Sequence, residues 1–233
     1  MSLQQTLSAL KIAFESGNGP IVVPEWVHER MRRATSELIA AKVAEQALQP
    51  GDSMPSFRLT GADGAVLDSV DLLASGPLVI SFYRGVWCPY CNIELKALQA
   101  MLPDIVERGA QLIAISPQTT ANSRKSCRDN GLTFPILADP SNEVAARFGL
   151  RWTLPSYLRE VYLQVFKNDL TVINGDNSWS LPMPARYVVN QEGTVVSSEV
   201  NPDYTQRPEP SDLLPVLEML VQSANSCKVN YRA

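Results

Sequence analysis

Histidine is almost missing from this chain. His28 is the single one in 233 residues, so histidine-rich metal sites and most nucleophile–histidine pairs lack raw material. Basic excess is missing too. Twenty Lys and Arg stand against 24 Asp and Glu, a net charge of -4, whereas a dedicated nucleic-acid binder needs a basic surface that displaces counterions. Long hydrophobic runs are absent as well: the most apolar stretch, Pro77 to Tyr83, is far too short to span a bilayer. No basic region followed by an apolar one opens the chain, and no arginine precedes Arg30, which argues against a secretory signal or transit peptide. The expectation is a cytoplasmic protein, with neither nucleic acid nor membrane as partner. Four cysteines remain, Cys88, Cys91, Cys127 and Cys227. In a reducing compartment a close pair of them points to catalysis or metal binding before it points to a structural staple.

What is present suits one large domain with an extension, and 45% hydrophobic residues can fill a sizeable core. Residues 1–48 read as two amphipathic helices, with Leu3, Leu7, Leu10 and Phe14 on one face and Val27, Met31, Ala34 and Leu38 repeating the spacing. These stripes are expected to pack on the chain's own core. From Gln49 the texture changes to strands alternating with helices. Leu78–Tyr83, Gln111–Ile115, Phe134–Ala138 and Tyr187–Val189 read as short strands. Thr194–Val200 forms a hairpin with the last of these, and helices are expected over Cys91–Ile105, about Thr120 to Asn130, and Asp212–Gln222. That order means an α/β fold with a mixed sheet. The stretch from Arg151 to Leu181, with Trp152, Tyr157, Tyr162, Phe166 and Trp179, fits the rhythm least and reads as an insertion capping the domain.

The sharpest chemical signal is Phe82-Tyr83-Arg84-Gly85-Val86-Trp87-Cys88-Pro89-Tyr90-Cys91. A buried strand ends, a short loop follows, and a helix begins near Cys88. Unpaired backbone N–H groups and the positive end of the helix dipole favour a thiolate there. Pro89 suits an early helical position. The i, i+3 spacing puts Cys91 one turn along on the same face, within reach of a disulfide. No second Cys pair or His pair completes a zinc site, so metal is not expected. A redox-active Cys88/Cys91 pair is the reading.

This run resembles the active-site segment of the thioredoxin superfamily, and the wider pattern resembles peroxiredoxins of the AhpC/TSA type. The supporting residues include Gly51–Phe57, Asn92–Leu95, Ile113–Pro117, Phe134–Asp139 and Ala146–Gly149. The nearest subgroup is peroxiredoxin-like, with Trp-Cys-Pro-Tyr-Cys and a helical N-terminal extension. The resemblance implies a thioredoxin-like fold: a central mixed sheet flanked by helices over residues 49–222, an N-terminal helical extension at 1–48, and a tail at 223–233. It also implies a thiol-dependent antioxidant enzyme with no cofactor. Such an enzyme reduces hydroperoxides through a Cys88/Cys91 dithiol–disulfide cycle and is recharged by thioredoxin or glutathione, with a homodimer as an expected form.

Departures from the pattern leave two orders of attack open. Typical peroxiredoxins place the attacking sulfur at Cys91, with threonine at Cys88, proline at Arg84 and arginine at Pro184. Threonine and arginine stabilise charge on the peroxide, so their loss is expected to weaken peroxide activation unless Arg84 or Arg186 substitutes. Read as a thioredoxin, Cys88 is the exposed nucleophile and Cys91 resolves. Met183-Pro184-Ala185 is then the cis-proline loop, and Trp87, Tyr90 and Met183 line the substrate. The buried aspartate of thioredoxins is missing, which leaves Glu94 or water to move protons. Protein disulfide reduction is therefore the alternative activity, and a redox-switched binding module using the N-terminal helices is a third. Cys127, flanked by Arg124, Lys125 and Arg128, could have its pKa lowered by that charge but reads as an incidental surface cysteine. Cys227 reads as a tail residue with no required role, and His28 as a surface residue. Asp203–Arg207 resembles a stretch typical of the subgroup, with no mechanism attached.

Overall fold

The structure, a computed structural model, describes residues 1–230, with side chains through residue 223. The chain opens with α1 (Leu3–Glu15) and α2 (Glu25–Ala40). Ser2 starts α1 with a capping box: its hydroxyl accepts from the Gln5 N–H and the Gln5 side chain accepts from the Ser2 N–H. A hairpin follows, β1 (Arg58–Gly61) and β2 (Val66–Asp68), then α3 (Ser69–Ser75) and β3 (Leu78–Phe82). The central units are α4 (Pro89–Glu107), β4 (Gln111–Ser116), α5 (Thr120–Asn130), β5 (Ile136–Ala138) and α6 (Glu143–Arg147). Then come β6 (Arg151–Thr153), α7 (Ser156–Glu160) running into a π-helical turn (Val161–Val165), and α8 (Leu170–Asn174). The chain closes with β7 (Ser180–Pro182), β8 (Ala185–Val189), β9 (Val195–Val200) and α9 (Leu213–Asn230).

Seven strands form one mixed sheet in the order β2-β1-β5-β4-β3-β8-β9. β3–β4 and β4–β5 are parallel, and the remaining pairs are antiparallel. β3 is buried along its whole length because both faces are covered. Leu78, Ile80 and Phe82 point to one side with Phe148 and Tyr187, while Val79 points to the other with Leu95 and Leu98 of α4. The two-residue period of a strand makes that division. It also aims the end of β3 at the start of α4, where the cysteines lie.

The N-terminal helices are part of this core. Leu3 and Leu7 are buried beside α4, and Leu10 packs against the same cluster. α2 instead meets the 151–181 segment, where Ala34 joins Leu154, Leu158, Tyr162, Leu170 and Leu181 in a third cluster. That segment is a folded cap with its own two-stranded ribbon of β6 and β7. Its short helices were not legible because their apolar residues face α2, an element more than 100 residues earlier. α6 was missed too: five residues are too few for a helical period to show.

Two expectations are corrected. His28 is buried, 5% exposed, because Phe14 packs edge-on against its ring at 4.7 Å. α9 runs to Asn230, past the apolar stripe that suggested an end at Gln222. No helix among the described residues is long and apolar enough to cross a membrane.

Candidate active site

β3 delivers the chain into a loop, Tyr83–Trp87, that a buried polar network holds in place. The Gln118 side chain accepts from the Val86 N–H at 2.9 Å and donates to the Tyr83 hydroxyl at 2.7 Å and to Ser126 Oγ at 3.0 Å. Asn92 Nδ2 donates to the Val86 carbonyl at 2.8 Å, tying the loop to the first turns of α4. Gly85 adopts φ +148°, and a Cβ there would lie 2.6 Å from Trp87 Nε1, so glycine lets the indole fold back across the loop.

Cys88 caps α4. Its Sγ accepts from the backbone N–H of Cys91 at 3.3 Å and from Arg84 Nη2 at 3.1 Å. Pro89 opens the helix, where its missing N–H leaves no gap. Both cysteines are fully buried, which corrects the expectation of an exposed Cys88. Burial opposes ionisation of Cys88. The Cys91 thiol, the charges of Arg84 and Arg207 and the backbone N–H of Cys91 outweigh it, and bring the Cys88 thiol down to about 5. The same burial, together with the neighbouring Cys88 sulfur, pushes Cys91 well above the ordinary thiol range. The pair thus holds one thiolate at Cys88 and one thiol at Cys91, an arrangement fit for two-electron dithiol–disulfide chemistry.

Each sulfur has its own arginine. Arg84 is 4% exposed, donates through Nη1 to the Tyr162 hydroxyl at 3.3 Å, and lies with Cζ 3.9 Å from the Tyr204 ring centroid and 5.2 Å from that of Trp87. Arg207 Nη2 donates to Cys91 Sγ at 3.6 Å, and its Nε pairs with Glu94 Oε2 at 2.5 Å. That ion pair is almost completely buried, at 2% and 3% exposure. Burial raises the Glu94 carboxyl and the Arg207 charge pulls it back. Arg186 is engaged elsewhere, by Glu199 at 2.6 Å and by the carbonyl of Glu209 at 2.9 Å.

The other expected residues divide. Trp87 and Tyr90 line an open cleft of about 450 Å³ beside Arg84. Met183 is buried in the core and reaches only a void of about 20 Å³ with Arg84 and Pro184. Pro184 precedes β8 and also lines a polar cavity of about 340 Å³ with Glu94, Arg186 and Arg207. It is not a cis-proline, because no cis peptide bond occurs among the described residues; with Met183 it joins the end of β7 to the start of β8 through an ordinary trans bond. Cys127 is half-buried and burial pushes its thiol up, so the flanking basic residues do not activate it. The Cys227 side chain lies outside the described ones.

Sequence reasoning singled out Asp203–Arg207 but gave Tyr204 and Arg207 no role, and it missed Gln118. Arg207 stands 116 residues from Cys91, and no local pattern links them. Gln118 carried a faint signal: it lies just past the C-terminal end of a buried parallel strand, where open α/β sheets place their sites.

The AhpC/TSA family model matches residues 50–198, well over half of the chain. A Mycobacterium tuberculosis protein named as a peroxiredoxin is 31% identical over 102 residues, 44% of this chain and 64% of that protein. The thiol-disulfide oxidoreductase ResA of Bacillus anthracis is 26% identical over 107 residues, 46% of this chain and 61% of ResA. Both matches span less than two thirds of the relative. Among solved structures, peroxidoxin BcpB of Mycobacterium tuberculosis superposes with a TM-score of 0.58 at 20% identity, covering 74% of this chain and 98% of that one. Peroxiredoxin 6 of Arenicola marina gives 0.60 at 20% identity, covering 76% and 75%. These likenesses agree with the mixed sheet and flanking helices described above, and with the match over residues 50–198 they show that the chain belongs to the AhpC/TSA family.

Proposed function

We propose that this chain is a thiol-dependent peroxidase in which Cys88 attacks a hydroperoxide and Cys91 resolves the product. The observation that carries the reading is the Cys88 sulfur paired with the Arg84 guanidinium 3.1 Å away, at a site with no exposed sulfur. The Cys88 thiolate takes the outer peroxide oxygen. An S–O bond forms, the O–O bond breaks, the proton of the attacked oxygen stays on the sulfenic acid, and the alkoxide or hydroxide leaves and takes its proton from solvent water. Arg84 donates to the oxygens as charge develops on them. Cys91 then attacks the sulfenic acid, releasing water and closing the disulfide, with the proton of Cys91 ending in that water. Glu94 and Arg207 support this second step: the guanidinium steadies a Cys91 thiolate as it forms, and the carboxylate beside the polar cavity carries its proton. An external dithiol or thiol such as thioredoxin or glutathione returns two electrons, which fits a reducing, cytoplasmic setting.

Disulfide exchange stays as the second reading because the thiolate sits at the helix cap rather than at Cys91, the position that attacks in typical peroxiredoxins. Both sulfurs are fully buried, so a protein disulfide as substrate, like thioredoxin as reductant, reaches them only when the cover opens, whereas a hydroperoxide or glutathione is small. Single-turnover mixing of the reduced protein with hydrogen peroxide, followed by tryptophan fluorescence, tests the choice. Oxidation orders of magnitude faster than a free thiol, with a sulfenic acid trapped on Cys88 in Cys91→Ser, is expected. Oxidation no faster than free cysteine alongside quick exchange with a protein disulfide would move the assignment to the second reading.

A further inference from the structure

Cys91 closes the disulfide by giving up its proton while its sulfur displaces hydroxide from the Cys88 sulfenic acid, which departs as water. The charge that steadies this step comes from Arg207, whose surroundings are neither strand nor helix: β9 ends at Val200 and the next helical turn begins at Pro210. The intervening segment is held by its neighbours, and α1 holds it at three points. The Asp203 carboxylate pairs with Lys11 at 3.6 Å. The Glu209 carboxylate accepts from the backbone N–H groups of Leu3 at 3.0 Å and Gln4 at 2.9 Å. Between them the Arg207 N–H donates to Gln4 Oε1 at 3.1 Å. Unpaired N–H groups and the positive end of the dipole make the first turn of a helix a favoured seat for a carboxylate. α1 rests in turn on α4, the helix that carries Cys91, through buried Leu3 and Leu7. Gln4 also lines the polar cavity of about 340 Å³ that Glu94 and Arg207 share, so this contact lies on the side where the Cys91 proton leaves.

We propose that Glu209 and Gln4 are positioning residues for the resolving step, which fix the Arg207 guanidinium at Cys91 Sγ by latching its segment to α1. The proposal rests on the reading of Cys91 as the resolving thiol and deepens it. The N-terminal helix sets how fast the Cys88 sulfenic acid becomes a disulfide, while attack on the oxidant, served by Arg84, is left alone. Misplacing a catalytic geometry by about an ångström costs on the order of a hundredfold in rate, and the latch prevents such a shift of the guanidinium.

The test is rapid mixing of the full-length reduced protein with hydrogen peroxide, with a sulfenic-acid trap and mass spectrometry following the two steps separately. Glu209→Ala is expected to slow disulfide closing about tenfold or more, with sulfenic acid formation on Cys88 unchanged. Gln4→Ala is expected to act in the same direction and to decide alone if circular dichroism shows that Glu209→Ala does not fold. In Arg207→Lys, which leaves Glu94 a cation but no second nitrogen for Cys91, adding Glu209→Ala is expected to slow closing no further. Closing at the wild-type rate in the folded variants, both steps slowed alike, or an equal further loss in the Arg207→Lys background overturns the latch while the peroxidase reading stands. A sulfenic acid on Cys91 instead of Cys88 overturns both. Oxidation no faster than a free thiol overturns the peroxidase reading alone. Closing is then read as glutathione release when Cys91 resolves a Cys88–glutathione mixed disulfide, where the same slowing is expected and its absence overturns the latch.

Discussion

Arg84 and Arg207 each face one sulfur, and that division sets what single substitutions do. Replacing Arg84 by methionine removes the nearest positive charge from Cys88 while burial stays. The thiol should climb from about 5 toward or beyond the ordinary value of roughly 8.5, read from thiolate ultraviolet absorbance against pH. In the intact protein the charged form exists above the depressed pKa. The oxidation rate should therefore be flat through neutrality and fall only as pH drops through about 5; in Arg84→Met the fall should come at far higher pH. An unchanged profile would show that the helix cap alone holds the thiolate. Arg207→Met leaves Glu94 buried without its cation, a loss of about 3–5 kcal/mol for breaking such a pair. Adding Glu94→Gln should recover part of that stability by removing the stranded charge. Denaturant unfolding of both variants checks it, and a double variant weaker by the full sum would contradict the pairing.

At the scale of elements, the decisive join is β3 to α4. Gly85 gives this loop its shape, with φ +148° and Trp87 Nε1 where a Cβ would go. Gly85→Ala should push the indole away from the loop, destabilise the protein by about 1–3 kcal/mol, and shift the tryptophan emission of the reduced state. Unfolding curves and fluorescence measure both, and an unaltered emission would mean the backbone relaxes without moving Trp87. The strand–loop–helix join was legible from residues alone. A short β-rich run, an interrupting Gly85 and the Cys-Pro start of a helix are all local signals. Gln118 was not, because its role is to fill the hydrogen bonds of a loop that lies more than 30 residues earlier.

Over the whole molecule, the N-terminal helices and the 151–181 cap cover the dithiol at the start of α4. Access is therefore a property of the assembled chain. In the reduced native protein, a small alkylating agent should modify Cys88 at least about tenfold faster than a bulky polymer-linked maleimide, given a low-pKa thiol that is fully buried. Site-resolved mass spectrometry separates Cys88 from half-buried Cys127. Equal rates with the two reagents would mean that the cover opens freely, and protein disulfides would regain their claim as substrates. The helical faces of residues 1–48 were visible in the sequence, and so was their apolar stripe. What each stripe covers was not, since Leu7 meets α4 and Ala34 meets α7 across distances no periodic pattern records.

By itself the sequence determined the α/β class and put Cys88 and Cys91 one turn apart at a helix start, because strand alternation, helix capping and i, i+3 spacing act between near neighbours; the family entered through the resemblance of its motifs. Only the tertiary structure decided that Cys88 is buried and that Arg84, not Arg186, stands at its sulfur. It also decided that Arg207 and Glu94 belong to Cys91 and that Pro184 follows a trans bond. Burial and charge pairing depend on which distant elements close over a site, and that geometry exists only once the whole chain has packed.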